Sequence, residues 1–331
     1  MANLKAKEAK LQRTLQRYGS AVIAFSGGVD SSVLLAAAVR ALPRDKVLAV
    51  SARSATYPAA ELLLARRVAR QLKVRHRVID TREFANPSFV ANPPRRCYYC
   101  KSELFSELRE IAGQEGLAAV LDGTNYDDRG DVRPGRKAAK ECGVKSPLLE
   151  ARLTKPNLRA LARKYGLPNW SKPAAACLAS RIPYGTRLEK ALLARVDEAE
   201  RLLADLGFTQ IRVRHHPQVM GSVPLLRSGK GDSPLDIARI EVLPEEFGRM
   251  VQPVIARRVV QGLQKLGYRY VTLDLAGYRT GSMNLPPATQ SSEVEAQDRP
   301  GEVRSQKSEA RRQNREDTGA DCRMQSVKLH G

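Results

Sequence analysis

The sequence predicts an α/β fold: a parallel, doubly wound sheet over residues 1–185, a smaller α+β domain over residues 186–285, and a disordered tail over residues 286–331. Three observations carry this reading. Short apolar runs alternate with helix-forming stretches in the first part, the first run turns into its helix through Ser26-Gly27-Gly28, and the order of elements changes after Tyr184-Gly185. Strand–helix alternation builds a parallel sheet covered by helices, and such sheets bind ligands beyond the carboxyl ends of their strands.

Apolar positions at helical spacing among many charges make residues 4–18 a surface helix. Residues 21–25 form an apolar strand, and residues 31–42 follow as a helix that Pro43 stops. The pattern repeats as strand 47–51, helix 58–72, strand 75–80, helix 99–115, strand 118–121 and helix 158–165. The second domain reads as helix 188–206, strand 210–214, strand 237–242, helix 245–266 and strand 270–275. Residues 217–236, rich in Gly, Pro and Ser, read as an inserted surface loop. In the tail, eight basic residues balance eight acidic ones and apolar runs vanish, which is the composition of a segment that cannot bury a core.

The 331-residue chain carries a formal net charge of +21, and the balanced tail assigns that excess to the folded part. Natural partners are therefore polyanions, either nucleic acid or small molecules bearing several phosphates. No apolar run approaches the roughly 20 residues that span a bilayer, and the first residues lack the apolar stretch of a secretory signal. A cytoplasmic location is expected. Five cysteines in such a chain suit metals or chemistry better than a disulfide framework. Cys142 and Cys322 read as structural.

Ser26, Gly27, Gly28, Val29, Asp30, Ser31 and Ser32 lie where a strand meets a helix. Successive backbone N–H groups and the helix N-terminus there converge on one small volume suited to a phosphate, and the glycines let the backbone approach it closely. The three hydroxyls add donors, while Asp30 inside an anion site implies Mg²⁺ or a cap on the turn. Asp122-Gly123-Thr124-Asn125 follows the fourth strand, so Gly123, Thr124 and Asn125 are expected beside the first strand at the same edge, in contact with the nucleotide.

Arg96-Cys97-Tyr98-Tyr99-Cys100-Lys101 begins a helix. Two thiols at that spacing, beside a helix N-terminus and Arg95, Arg96 and Lys101, are expected to have lowered pKa values and to bind soft metals. Cys177, among small residues in Ala174-Ala175-Ala176-Cys177-Leu178-Ala179-Ser180-Arg181, is the candidate third ligand.

The Ser26–Ser32 motif resembles the pyrophosphate-binding loop of the adenine nucleotide alpha hydrolases, which include GMP synthetase, NAD synthetase, argininosuccinate synthetase and the tRNA thiolases. With the CYYC pair, the Asp122–Asn125 segment running into Arg133-Pro134-Gly135-Arg136, the Cys177 segment through Ile182-Pro183-Tyr184-Gly185, and residues 271–284, residues 4–284 resemble the LarE family of sulfur transferases. That resemblance implies an ATP-dependent enzyme that adenylates a carboxylate of pyridinium-3,5-biscarboxylic acid mononucleotide, releases pyrophosphate, and lets a sulfur nucleophile displace AMP. The product is a thiocarboxylate precursor of the nickel-pincer nucleotide cofactor.

The resemblance makes Cys177 the sulfur-bearing residue. Family members with the additional pair are of the iron–sulfur type, so Cys97, Cys100 and Cys177 are expected to hold a [4Fe-4S] cluster. Arg181, Arg212 and Arg214 are expected to bind the substrate's phosphate and carboxylates, accompanied by Glu200 and Glu241. A homo-oligomer and handover of the product to a nickel-inserting enzyme are also implied. A tRNA thiolase would share the loop, the cysteines and the charge, but the chain shows no appended RNA-binding module and no second CxxC, so neither a nucleic-acid partner nor a membrane is expected. A non-enzymatic iron–sulfur or nucleotide-binding scaffold is the other alternative.

Overall fold

A computed structural model describes residues 2–130, 134–173, 176–217 and 236–279. In chain order its elements are α1 (Ala2–Tyr18), β1 (Ala21–Ala24), α2 (Val29–Ala41), β2 (Val47–Arg53), α3 (Ala59–Gln71), β3 (Arg75–Asp80), α4 (Pro87–Val90), α5 (Arg96–Gln114), β4 (Ala119–Leu121), α6 (Pro134–Glu141), α7 (Pro147–Glu150), α8 (Lys155–Lys164), α9 (Lys190–Asp205), β5 (Arg212–His216), β6 (Ile237–Glu241), α10 (Phe247–Met250), α11 (Pro253–Lys265) and β7 (Tyr270–Leu273).

The first sheet has the order β3-β2-β1-β4, with every pair parallel. β1 and residues 47–50 of β2 are apolar because both faces of the sheet are covered there. Ala21 and Ile23 join a core with Leu11 and Leu15 of α1, Leu34 of α2 and Leu158 of α8. Val22, one residue out of step, joins Phe105, Leu108 and Ile111 of α5 on the opposite face. The second sheet runs β5-β6-β7, antiparallel then parallel, and buries Val213, Ala238 and Ile240 against Leu203 of α9 and Val259 and Leu263 of α11. A further core joins Phe89, Val90, Leu178, Ile182, Leu193 and Val196, with Tyr99 and Cys100 packed against it. Both sheets belong to one compact unit, Met1–Thr280.

Two departures from the sequence reading have local causes. The helix expected over residues 245–266 is split into a 3₁₀ turn, α10 and α11, because Pro253 offers no N–H and holds Gln252 at φ −58°, ψ 133°, outside the helical region. Three short helices that open on proline, α4, α6 and α7, fill stretches expected as loops. Most of the 217–236 insertion, Arg133, residues 280–284, the tail and Cys322 lie outside the described residues. No helix among the described residues is long and apolar enough to cross a membrane.

Candidate active site

β1 ends at Ala24 and α2 begins at Val29, so residues 25–28 form the turn at the carboxyl edge of the sheet. Gly27 has φ +69°, and a Cβ there would lie 2.9 Å from the backbone N of Ala65 in α3, so conformation and close packing both require glycine. Ser26 Oγ and Ser31 Oγ are 3.1 Å apart, and Ser31 Oγ also donates to the Gly28 carbonyl at 3.2 Å. The first N–H groups of α2 have no intrahelical acceptor, a geometry suited to an anion. Ser32 differs from the other two serines. It is fully buried, and its Oγ accepts a hydrogen bond from Asn169 Nδ2 at 2.9 Å.

β4 lies beside β1, which brings the Asp122–Asn125 segment to the same edge as expected. Gly123 presses on the phosphate loop so closely that a Cβ would stand 3.1 Å from Ser31 N. Buried Asn125 donates from Nδ2 to Asp30 Oδ2 at 2.9 Å, and Thr124 donates from N and Oγ1 to the Asp122 carboxylate. Burial raises the Asp30 carboxyl above the usual range; the Asn125 bond opposes that shift and the nearby Asp128 adds to it.

Cys97 and Cys100 lie at the start of α5, and Cys177 immediately precedes the 3₁₀ turn Leu178–Arg181. Cys97 and Cys177 are exposed, and Cys100 is half-buried. The Cys100 thiol is close enough to both partners to feel their charges, so the three cysteines share one neighbourhood. The expected low pKa does not hold for Cys100. Burial pushes its thiol up to about 12, and the favourable charge of Lys101 is too weak to offset this. Among the described residues, no three His, Cys, Asp or Glu side chains stand together closely enough to hold a single metal ion.

The predicted arginines form an inward-facing network. Arg181, 2% exposed, pairs with Glu200 through Nε and Nη2 at 2.8 and 2.9 Å, and its Nη1 donates to the carbonyls of Ala176 (2.7 Å) and Cys177 (3.1 Å) and to Ser180 Oγ (3.0 Å). Arg214 pairs with fully buried Glu241 at 3.0 and 2.9 Å and donates to the Ser180 carbonyl at 2.9 Å. Glu200 also accepts from Val213 N at 3.0 Å, so its carboxylate is held on both sides by the fold. Arg212 donates to Tyr278 Oη at 3.2 Å, and burial, with the charge of Arg181, lowers its pKa.

One strap connects the two halves. Tyr57 Oη donates to the Ser26 carbonyl in the phosphate loop, and the neighbouring Thr56 carbonyl accepts from Leu178 N at 2.8 Å, one residue from Cys177.

Residues 11–93, spanning the phosphate loop, match the family model described as asparagine synthase. An uncharacterised protein of Synechocystis sp. is 41% identical over 84% of this chain and 97% of its own length. Pyridinium-3,5-bisthiocarboxylic acid mononucleotide synthase of Lactiplantibacillus plantarum is 40% identical over 86% of this chain and 96% of its own length. The chain belongs to this synthase family, LarE. An uncharacterised protein of Methanocaldococcus jannaschii is 27% identical over 59% of this chain and 73% of its own length.

Beside the LarE motifs, the fold brings in residues that no motif flagged. Asn169 reaches the phosphate loop, Tyr57 spans the strap, and Lys172 pairs with Glu61 of α3. The available signal was weak: Asn169 and Lys172 lie in the stretch leading to Cys177, and Tyr57 follows the second strand at the ligand-binding edge.

Proposed function

We propose that this chain is an ATP-dependent sulfur transferase acting on pyridinium-3,5-biscarboxylic acid mononucleotide. The phosphate loop binds ATP, and a substrate carboxylate oxygen attacks the α-phosphorus. Pyrophosphate leaves, and the acyl-adenylate forms. A sulfide held at the Cys177 site then attacks the activated carbonyl carbon, forming the C–S bond as the C–O bond to AMP breaks; AMP departs, the sulfide's proton passes to solvent, and a thiocarboxylate remains. Adenylation converts a poor leaving group into a good one, which is why a pyrophosphate site and a thiol belong in one enzyme.

The observation that carries the reading is the strap, in which consecutive residues Thr56 and Tyr57 hold the Cys177 segment and the phosphate loop. Chemistry passed from one site to the other needs that fixed separation. Mg²⁺ suits Asp30, whose charge burial and Asp128 disfavour and a cation would restore. Arg212 is the arginine assigned to the substrate's phosphate. Arg181 and Arg214, with Glu200 and Glu241, hold the backbone around Cys177 and add positive field to the site.

The donor set fits an iron–sulfur cluster: three thiols share a neighbourhood, and the ligands of a cubane bind different irons, so they need not converge as closely as those around a single ion. Cys97, Cys100 and Cys177 would hold it, and when bound it would supply an iron that carries the transferable sulfide. Homo-oligomerisation and handover to a nickel-inserting enzyme belong to the same reading. The test is pyrophosphate release from Mg·ATP with and without the dicarboxylate nucleotide, in parallel with a tRNA pool. Release that requires the nucleotide supports the proposal, and release driven by tRNA or by neither overturns it.

A further inference from the structure

Asn169 lies between α8 and the Cys177 segment and belongs to none of the motifs described above. It is 3% exposed. Its side-chain amide donates to the Gly27 carbonyl at 2.7 Å and to Ser32 Oγ at 2.9 Å, while its Oδ1 is buried and finds no partner among the described residues. A buried amide with a wasted acceptor is costly unless its donors do something a smaller residue could not.

The two acceptors explain what they do. Gly27 sits in the left-handed region, which turns its carbonyl out of the helical ladder and leaves it in need of a donor. Ser32, in the first turn of α2, is too buried to reach a phosphate and serves instead as the second anchor. Together the two contacts grip the phosphate loop from behind, one on each side of the residues whose N–H groups meet the anion. The grip has a rigid base. Lys172 N bonds back to the Asn169 carbonyl at 3.0 Å, Arg159 donates to the carbonyls of Trp170 and Lys172 at 3.2 and 3.1 Å, and Lys172 Nζ pairs with buried Glu61.

From this we infer that Asn169 is a positioning residue for the pyrophosphate site, holding the loop in its anion-binding shape from the base of the Cys177 segment. The inference rests on the function proposed above. It assigns Asn169 a role in ATP affinity, without contact with ATP and without a role in sulfur delivery.

Isothermal titration of wild type, N169A, S32A and the double variant with Mg·ATP, and separately with the dicarboxylate nucleotide, tests it well below each variant's melting temperature. N169A is expected to weaken ATP about tenfold, the worth of one or two net hydrogen bonds, while leaving the dicarboxylate nucleotide unchanged. KM for ATP should rise more than kcat falls. Because S32A acts through the same contact, the double variant should bind about as weakly as N169A alone. A lowered melting temperature with unchanged ATP affinity would mean a merely structural residue and overturn the inference. Should N169A fail to fold, S32A decides: weaker ATP binding supports the inference, and unchanged binding overturns it. Wild-type protein that binds no ATP would instead refute the proposed function itself.

Discussion

Replacing Arg181 with lysine keeps the positive charge and removes the fork, so it separates the two roles that arginine could have. The guanidinium makes two contacts to Glu200 and three to the Ala176 and Cys177 carbonyls and Ser180 Oγ. An ammonium has three donors on a longer, more flexible stem and cannot span both groups. At least two contacts are lost in a site only 2% exposed, where a hydrogen bond involving a charged group is worth about 1.5–3 kcal/mol. The expected destabilisation is roughly 3–6 kcal/mol, which at about 2–4 °C per kcal/mol lowers the melting temperature by roughly 6–24 °C. Calorimetry reads the stability, and mass spectrometry of the thiocarboxylate alongside pyrophosphate release reads the two half-reactions. Thiocarboxylate yield should collapse while ATP affinity stays near wild type, because the lost contacts hold the Cys177 backbone and leave the phosphate loop alone. A variant with wild-type melting and full thiocarboxylate yield would refute Arg181 as the clamp on that segment.

Glu241→Ala takes the carboxylate away from buried Arg214 and leaves a fully buried vacancy; it is expected to cost about 3–5 kcal/mol, read as a lower midpoint in chemical denaturation. Gly123→Ala places a methyl 3.1 Å from the backbone of Ser31, so the loop must shift, and KM for ATP should rise about tenfold or more without loss of the fold. In metal-free protein the Cys100 thiol titrates near 12 against 9.0 for an unperturbed thiol, so iodoacetamide at pH 8 should label exposed Cys177 and spare Cys100. The raised folded pKa also means that this group's contribution to stability is intact below pH 9 and is lost as the pH climbs toward 12.

The sheet was legible because β1 and residues 47–50 of β2 are buried on both faces and therefore read as apolar runs, and the phosphate loop because Gly27 has no substitute in its conformation. The Asp122–Asn125 segment could be placed from strand order alone. What could not be read was whatever depends on contacts between distant residues. Cys100 has the sequence neighbours of an activated thiol, yet it packs against a core assembled from α4, α9 and the Cys177 segment, and burial outweighs those neighbours. Arg181 and Arg214 have the residue type of anion receptors, and only the fold shows Glu200 and Glu241 already occupying their forks. Asn169 carries no signature, because an asparagine after a helix is ordinary until its partners are known.

The proposed reaction has two separable steps in one enzyme, activation at the phosphate loop and sulfur delivery at Cys177. The most direct test supplies Cys177→Ala with Mg·ATP and pyridinium-3,5-biscarboxylic acid mononucleotide, then quantifies pyrophosphate and the pyridinium products by mass spectrometry. The expected result is substrate-dependent pyrophosphate release with no thiocarboxylate, against both products in the wild type. Thiocarboxylate formed by the variant, or pyrophosphate release abolished in folded protein that still binds ATP, would contradict it.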